Sequence, residues 1–167
     1  MGVFIMKSID IQNKSLDRVD RQILLELQQN ARLSNTELAR RINLSATPCA
    51  ERVKRLETQG YIQQYQAKLN PRQLNLELLV FVEISLLRTS ADVFAEFSQA
   101  VAALPQVLEC HLVSGNFDYL IKARVADMKA YRQLLGETLL TLPGVSDSRT
   151  YVVMEEVKET QTLPIPN

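Results

Sequence analysis

The spacing of hydrophobic residues changes near the middle of the chain. Up to about residue 60, apolar side chains recur every three or four positions, which is the spacing of helices that bury one face. From Leu78 onward, apolar residues alternate with others as in a half-buried strand, and two further helical segments follow. The pattern therefore predicts a helical N-terminal domain and a C-terminal domain that combines strands with helices.

Three helices are predicted in the N-terminal domain. The first spans about Asp17–Asn30, and acidic Asp20 lies in its first turn, where the helix dipole favours a negative charge. The second spans about residues 35–42. It begins at a predicted capping box, in which the side chains of Ser34 and Glu37 each accept a hydrogen bond from the other's backbone N–H.

The third predicted helix spans about residues 46–59, with Ser45 as its N-cap, Pro48 in its first turn and Gly60 as a left-handed terminator. Its buried stripe is Cys49, Val53 and Leu56. A short helix, a tight turn at Asn43–Leu44 and a second amphipathic helix match a DNA-binding helix-turn-helix. The alternative is a helical hairpin whose charged face meets only water.

Charge is distributed unevenly, although the chain holds 19 basic and 19 acidic residues and its total is +0. Residues 1–72 hold 12 basic and 7 acidic side chains, so the remainder carries −5. The stretch from Arg32 to Arg55 alone holds six basic and two acidic residues. A basic module joined to an acidic one is typical of a protein that binds nucleic acid with one domain and another partner with the other.

Six elements are predicted in the C-terminal domain, in the order β-α-β-β-α-β. They are strand Leu78–Leu86, helix 92–104, strands 107–114 and 118–125, helix 127–142 and strand 145–157. This order predicts an α+β, ferredoxin-like fold with both helices on one side of an antiparallel sheet. The other sheet face would hold Leu79, Phe81, His111, Val113 and Tyr151 or Val153. Because an apolar face needs a cover, we expect at least a dimer.

The domain boundaries follow from these elements. The predicted parts are a mobile N-terminal arm (1–14), a DNA-binding domain (15–70), a linker (71–77), a ferredoxin-like domain for ligand binding and oligomerisation (78–158) and a frayed tail (159–167). Residues 61–69 alternate in places like a strand, so we expect them to form a small wing beside the helix-turn-helix.

The residue pattern does not support an enzyme, a metal site or a membrane span. His111 is the one histidine, and Cys49 and Cys110 are far apart, so no zinc-ligand spacing exists. The chain has no phosphate-binding glycine motif, and neighbouring Glu155 and Glu156 would point to opposite faces of a strand. The chain shows neither a bilayer-spanning apolar run nor a secretion signal, so we expect a cytoplasmic protein without a cofactor.

Three stretches carry a family resemblance: LDRVDRQILLELQQNARLSNTELARRINLSATPCAERVKRLETQGYIQQYQAKLNP, VSGNFDYLIKARVADM and LPGVSDSRTYVVMEEVK. Over residues 16–158 the chain resembles the Lrp/AsnC transcription factors. The resemblance implies a winged helix-turn-helix and a ferredoxin-like "RAM" domain that binds an amino acid. It also implies dimers through the sheet faces, which assemble into octamers or larger discs that wrap double-stranded DNA. Ala46 departs from the family, where proline is usual, so the base preference cannot be transferred directly.

Ten residues around the helix-turn-helix are candidate DNA contacts. They are Arg32, Ser34, Asn35, Ser45, Ala46, Thr47, Pro48, Glu51, Arg52 and Arg55. Thr47 would touch a thymine methyl group, and Arg55 a guanine edge or a phosphate. Arg32, Ser34 and Asn35 would hold the DNA backbone, which gives position without sequence information. The alternative for each is a solvated surface side chain.

Seven residues are candidate contacts for an amino-acid effector: Gly115, Asn116, Phe117, Asp118, Tyr119, Thr150 and Val152. Gly115 would let backbone N–H groups approach an α-carboxylate, and Asp118 would pair with the α-ammonium. Thr150 and Val152 share one face of the last strand and would line the pocket. Taken alone, these residues favour an ordinary turn, with Asp118 as a turn-forming residue, and only the family resemblance favours a ligand site.

These features lead to one functional hypothesis and two alternatives. The hypothesis is a sequence-specific transcriptional regulator whose assembly and operator binding respond to an amino acid, with leucine the first candidate. One alternative is a nucleoid-associated architectural protein that wraps DNA with little ligand control. The other is a small enzyme or allosteric subunit, against which the lack of a catalytic constellation argues.

Overall fold

The computed structural model describes residues 16–166, which form two compact units. The first unit reaches to Lys68 and includes the chain from Thr160 onward, and the second unit is Leu69–Glu159. The predicted mobile arm, residues 1–14, lies outside the described residues. The predicted linker, residues 71–77, is part of the second unit, where it forms a single 3₁₀ turn before the first strand.

Three helices build the first unit, as the hydrophobic spacing predicted. They are α1 (Arg18–Gln29), α2 (Asn35–Arg41) and α3 (Ala46–Thr58). The fully buried centre of their core is Ile23, Leu38, Cys49 and Leu56. Because Cys49 and Leu56 both come from α3, one face of that helix is fixed against the other two and its opposite face is left to solvent.

The start of each helix shows which capping residues are used. At α1 a reciprocal capping box forms: Asp17 Oδ1 accepts from the N–H of Asp20 at 2.8 Å, and Asp20 Oδ2 accepts from the N–H of Asp17 at 3.3 Å. At α2 the Ser34 hydroxyl accepts from the N–H of Glu37 at 3.2 Å. The reciprocal half predicted there is wrong, because the Glu37 carboxylate turns instead to two arginines of its own helix.

The end of α3 is a glycine stop. Gly60 has φ +77°, and the N–H of Tyr61 donates to the carbonyl of Leu56 at 2.9 Å while the N–H of Gly60 donates to that of Glu57 at 3.0 Å. This pair of bonds is a Schellman motif, which satisfies carbonyls that the helix leaves unpaired. The tight turn between α2 and α3 likewise has a left-handed residue, Asn43, at φ +55°.

The predicted wing strand is not formed. Residues 61–70 have no regular secondary structure, although Tyr61 and Ile62 pack against the helical core. A strand needs a neighbour for its backbone hydrogen bonds, and the described part of the first unit offers none. The tail is also not frayed throughout, since the side chain of Gln28 on α1 exchanges two hydrogen bonds with the backbone of Leu163, at 2.7 and 3.1 Å.

The second unit has the predicted β-α-β-β-α-β order. Its strands are β1 (Leu78–Leu86), β2 (Val107–Leu112), β3 (Tyr119–Val125) and β4 (Val145–Val152), and its helices are α4 (Ala91–Ala102) and α5 (Met128–Glu137). The strands form one antiparallel sheet in the order β2-β3-β1-β4. This is the ferredoxin-like arrangement, and the α+β prediction is confirmed.

Both helices of the second unit cover the same side of the sheet. The buried core there combines alternate residues of β1 and β3 with Phe97 and Val101 of α4 and with Tyr131 and Leu134 of α5. Met128, at the start of α5, is 49% exposed and is not part of this core.

Two predicted elements of the second unit are too long. The helix predicted to reach residue 142 ends at Glu137, because Thr138 leaves helical geometry (φ −127°, ψ −66°) and a 3₁₀ turn follows at Leu139–Thr141. The strand predicted to reach residue 157 ends at Val152. Val152 pairs with Val80, so only two residues of β1 remain for it to pair with beyond that point.

Candidate nucleic-acid interface and effector site

The first turn of α3 is exposed to solvent. The predicted contacts Ser45, Ala46, Thr47 and Pro48 are all exposed, as is Glu51 one turn later. Ser45 occupies the N-cap position, but its hydroxyl makes no capping hydrogen bond. Because the opposite stripe of α3 is buried, the structure holds these side chains outward on a rigid base.

Arg52 and Arg55 are arranged in a way that the sequence did not reveal. Arg52 Nη1 lies 2.6 Å from Asp17 Oδ2 and 2.8 Å from Asp20 Oδ1, and Arg55 Nη2 lies 2.5 Å from Asp20 Oδ2. The hydrogen bonds to Asp17 and then Asp20 raise the pKa of Arg52. Burial acts to raise the pKa of Asp17, but the Asp20 N–H and the Arg52 guanidinium hold it below its usual value. Both arginines are thus tied to α1.

The start of α2 brings three other predicted contacts together. Arg32, Ser34 and Asn35 are exposed there, and the backbone N–H of Arg32 donates to the side chain of Asn30 at 3.0 Å. The hydroxyl of Ser34 is used as the helix cap. Arg32 and Asn35 therefore keep their side chains for the solvent side, beside the first turn of a helix.

Arg40 and Arg41 form a second cationic cluster, on α2, and neither is among the ten predicted DNA contacts. Arg40 and Arg41 both bind the Glu37 carboxylate, at 2.7 and 3.0 Å, and Arg41 also reaches Glu26 on α1 at 2.9 Å. The Arg40 and Arg41 guanidinium groups lower the pKa of Glu37 to about 2. The signal that would have found this cluster is the i, i+3 and i, i+4 spacing of the three residues.

The loop between β2 and β3 holds the predicted effector contacts, and its carboxylate already has a structural partner. Asp118 Oδ2 accepts from the backbone N–H of Leu86 at 2.7 Å, and the N–H of Asp118 donates to the carbonyl of Ile84 at 2.9 Å. The pairing of β1 with β4 shifts register between Ser85 and Leu86. Asp118 therefore satisfies a backbone donor at an irregular point of the sheet.

The other residues of this loop divide into exposed and buried positions. Gly115 and Asn116 are exposed, and a Cβ added at Gly115 would meet no atom within 4 Å. The fold itself therefore does not need a glycine at this position. Tyr119 is a core residue, 4% exposed, whose ring stacks on Phe97 with centroids 4.3 Å apart. Its ring faces the core and not the loop surface.

The two predicted effector segments lie apart along the sheet of a single chain. Thr150 pairs with Val82 in the middle of β1, and its hydroxyl hydrogen-bonds that of Tyr131 on α5. Val152 lies further along, opposite Val80, whereas the loop meets β1 at Ile84. At the usual rise per residue, Val152 is about 13 Å along the strand from that point.

A cavity of about 350 Å³ lies elsewhere in the second unit, at the far end of β3 from the loop. It is bounded by α5 and by the Arg124 side chain, which is 7% exposed and pairs with Glu156 at 2.6 Å. None of the predicted effector residues lines this cavity. The predicted effector residues therefore lie apart from this cavity.

The uncovered sheet face combines apolar residues with ion pairs. Leu79 is buried and Phe81 is half-buried, and Glu109 of β2 pairs with Lys122 at 2.9 Å and with His111 at 3.1 Å. Lys122 and then His111 lower the pKa of Glu109. His111 is thus a hydrogen-bonding partner on an exposed strand. Among residues 16–166, no group of three or more potential metal ligands occurs, and no helix is long and apolar enough to cross a membrane.

Comparison with known proteins identifies both domains. A winged helix-turn-helix DNA-binding model matches residues 16–63, and an Lrp/AsnC ligand-binding-domain model matches residues 79–163. The leucine-responsive regulatory proteins of Escherichia coli K12 and Klebsiella pneumoniae are each 64% identical to this chain over 152 residues, which is 91% of this chain and 93% of theirs.

Solved structures agree. A Neisseria meningitidis transcriptional regulator in complex with L-methionine has a TM-score of 0.86 and 41% identity, covering 90% of this chain and 97% of that one. An AsnC-family regulator from Agrobacterium tumefaciens has a TM-score of 0.85 and 34% identity, covering 89% and 97%. These relatives are regulators of transcription and not enzymes. The chain belongs to the Lrp/AsnC family and is a DNA-binding transcriptional regulator that responds to a ligand of its C-terminal domain.

Proposed function

We propose that this regulator binds operator DNA through the first turn of α3 and that leucine, or another small apolar amino acid, changes its assembly and its operator affinity. The name of the curated relatives supports leucine, and the methionine complex of the Neisseria protein supports the wider class. The proposal that the protein binds DNA depends on one observation: the N-terminal end of α3 is exposed, while the opposite face of that helix is buried in the helical core.

In this proposal the ten candidate DNA contacts divide into two groups. Ser45, Ala46, Thr47, Pro48 and Glu51 face base edges in the major groove, where an entering helix is read. Arg32, Ser34 and Asn35 hold the phosphate backbone with Arg52 and Arg55. The exposed N-terminal ends of α2 and α3 suit this division, because a helix N-terminus attracts a negative charge.

The assembly is proposed to be a dimer through the uncovered sheet face, and octamers or larger discs built from dimers. The half-buried Phe81 and the ion pairs around Glu109 support this face as an interface. A twofold dimer presents two copies of α3, as recognition of two half-sites requires. Such a regulator would work in the cytoplasm, on the nucleoid.

The effector site is proposed to be completed by a second copy of the chain. The loop at Gly115 and the β4 residues Thr150 and Val152 lie apart along the sheet of one chain, so a neighbouring copy brings one segment to the other. The exposed backbone at Gly115 and Asn116 would bind the α-carboxylate, and Asp118 the α-ammonium. An amino acid held between copies shifts assembly by its differential affinity for the assembled states.

A titration of a DNA mobility shift with free amino acids tests this function. We expect wild-type protein to retard a duplex that it selects from a randomised pool, and leucine or methionine to change the midpoint, while aspartate and lysine leave it unchanged. Asp118→Asn keeps an oxygen for the Leu86 N–H but removes the charge. It should therefore fold normally and need about tenfold more effector, as expected for the loss of one charge-assisted bond.

The alternative is an architectural DNA-binding protein with little ligand control. One observation favours it: Asp118, the proposed ammonium partner, is already bound to the backbone of β1. If retardation occurs but no amino acid in a full panel moves its midpoint, the architectural reading replaces the effector proposal. If no duplex is retarded even in dilute salt, both readings fail.

A further inference from the structure

Asp20 is a buried carboxylate shared by two arginines of the proposed recognition helix. Its side chain is 4% exposed, and each of its oxygens receives a different guanidinium: Arg52 on Oδ1 at 2.8 Å and Arg55 on Oδ2 at 2.5 Å. A buried carboxylate with two cationic donors holds those donors in fixed positions. Charge-assisted hydrogen bonds are stronger than neutral ones, and neither oxygen can turn to water. Asp20 therefore fixes the position of both arginines at once.

Asp17 belongs to the same network of hydrogen bonds. Asp17 Oδ2 accepts a hydrogen bond from the same Arg52 nitrogen at 2.6 Å, and Asp17 also exchanges capping hydrogen bonds with Asp20. Arg55 keeps its bond to Asp20 even though its Nε is buried without an acceptor in the described part of the chain. The carboxylate contact thus decides where the Arg55 side chain lies.

The carboxylates of Asp17 and Asp20 engage only some of the N–H groups of Arg52 and Arg55. A guanidinium has five N–H groups, and α1 engages only Nη1 of Arg52 and Nη2 of Arg55. Their side chains remain 30% and 36% exposed. Apart from the buried Nε of Arg55, the N–H groups that α1 does not engage are therefore held at the surface of the helix-turn-helix, where a further acceptor can bind them.

The direction of these side chains sets what that acceptor can be. An arginine drawn back onto α1 does not extend from α3 toward base edges, so the acceptor is a phosphate beside the groove. Free arginines follow phosphates in any register, whereas fixed ones fit the backbone in one docked register and lose less freedom on binding. Held arginines therefore favour the specific complex over sliding contacts.

We propose that Asp20 is a positioning residue for DNA recognition, which holds Arg52 and Arg55 to bind two phosphates in the register of the specific complex. The proposal rests on the proposed DNA-binding role of α3. It assigns these arginines to the backbone and leaves sequence readout to the first turn of that helix.

The test compares two duplexes: one that the wild-type protein selects from a randomised pool and a scrambled one of the same composition. Asp20→Asn should lower the ratio of the two binding constants about tenfold, a small part of the ~10³–10⁷ that separates specific from non-specific binding. Binding to the scrambled duplex should hold or rise, because a negative charge has been removed. The remaining amide oxygen can accept from only one of the two arginines, although Arg52 keeps its contact with Asp17.

Two further variants make the test independent of folding. Asp17→Asn keeps a good N-cap and loses only the Arg52 contact, so it should lower the same ratio by a smaller factor. Glu26→Gln is the matched control, since Glu26 is also an α1 carboxylate that pairs with an arginine, Arg41 of α2. It should leave the ratio unchanged.

A double-mutant cycle separates positioning from general support of the fold. In an Arg52→Gln/Arg55→Gln background, Asp20→Asn should no longer change the ratio, because there is nothing left to position. A ratio that stays at the wild-type value in the single variant overturns the proposal. A loss that is equal on both duplexes, or that persists in the Gln/Gln background, also overturns it. Failure of wild-type protein to retard either duplex overturns the proposed function instead.

Discussion

Glu37 is an exposed carboxylate between two arginines of α2, and its titration reports on that surface. Arg40 binds it through Nε at 2.9 Å and Nη2 at 2.7 Å, and Arg41 through Nε at 3.0 Å. These contacts favour the charged carboxylate and hold the pKa of Glu37 at about 2, against 4.5 for a free glutamate. A folded-state pKa below the unfolded one stabilises the fold above about pH 4.5, and that contribution is lost as the pH falls toward 2.

Removing the larger of the two contacts should move this titration. In Arg40→Gln the pKa of Glu37 should rise toward 4.5, because the hydrogen bonds of Arg40 are the largest cause of the shift. Side-chain carboxyl NMR shifts followed against pH measure it directly. Arg41→Gln should raise the same pKa less, and an unchanged value in Arg40→Gln would refute the assignment.

Asp118 should prove structural as well as functional. In Asp118→Ala the N–H of Leu86 loses its acceptor at a partly buried point, which costs about 1–3 kcal/mol of the free energy of unfolding. Asp118→Asn keeps an acceptor oxygen and should lie close to wild type. Chemical denaturation of the three proteins measures the free energy of unfolding of each variant against the wild type. Circular dichroism is the signal, because the chain has no tryptophan for fluorescence. Equal stability of Asp118→Ala and wild type would show that the contact has no structural value.

At the scale of elements, two glycines should respond to the same substitution with opposite sign. Gly60 ends α3 at φ +77°, where a Cβ meets no atom but the backbone conformation is strained, so Gly60→Ala should cost about 1–2 kcal/mol. Gly136 lies within α5 in ordinary helical geometry with open space around it, so Gly136→Ala should stabilise by about 0.5–1 kcal/mol.

Denaturant titration of the two variants measures the difference. Gly60 lies in the first unit and Gly136 in the second. Each substitution should therefore shift the circular dichroism transition of its own unit and leave that of the other unit unchanged. If Gly60→Ala is as stable as the wild type, the assignment of Gly60 as a left-handed stop is wrong. If Gly136→Ala is less stable than the wild type, the prediction for Gly136 is wrong.

Element bounds were predictable where a local signal decided them. β1 spans the predicted residues because every second position from Leu78 to Leu86 is apolar, and α1 is flanked by the predicted Asp17 and Asn30. The ends of α5 and β4 were not predictable. Thr138 is no clear helix breaker in sequence, and β4 ends where only two residues of β1 remain opposite it, which is a property of the sheet.

At the scale of the whole molecule, the uncovered sheet face should control assembly. Phe81→Glu places a charge in the apolar part of the proposed interface, where a buried unpaired carboxylate is costly. We expect this variant to sediment as a monomer where the wild type sediments as a dimer or larger. Analytical ultracentrifugation over a concentration series measures this.

The control replaces an exposed apolar residue elsewhere. Leu25 on α1 is 44% exposed, and Leu25→Glu should leave assembly unchanged. If Phe81→Glu assembles like the wild type, the sheet face is not the interface and the proposed route to octamers is wrong. If both variants dissociate, the effect belongs to added charge and not to the face.

Local patterns of residues were enough to predict the two-domain division, the helix-turn-helix, the β-α-β-β-α-β order and the outward residues at the start of α3. Each of these depends on spacing and capping within a few residues, where geometry follows directly from the order of side chains. The same local information predicted the positive φ at Gly60.

The partners of the charged side chains depend on contacts between distant parts of the chain. Arg52 meets Asp17 across 35 residues of sequence, and Asp118 meets Leu86 across 32. The tertiary structure also showed that the loop at Gly115 and the residue Val152 stand apart on the sheet. A carboxylate binds the donor that folding brings within about 3 Å, and no local pattern of residues encodes which distant donor that will be.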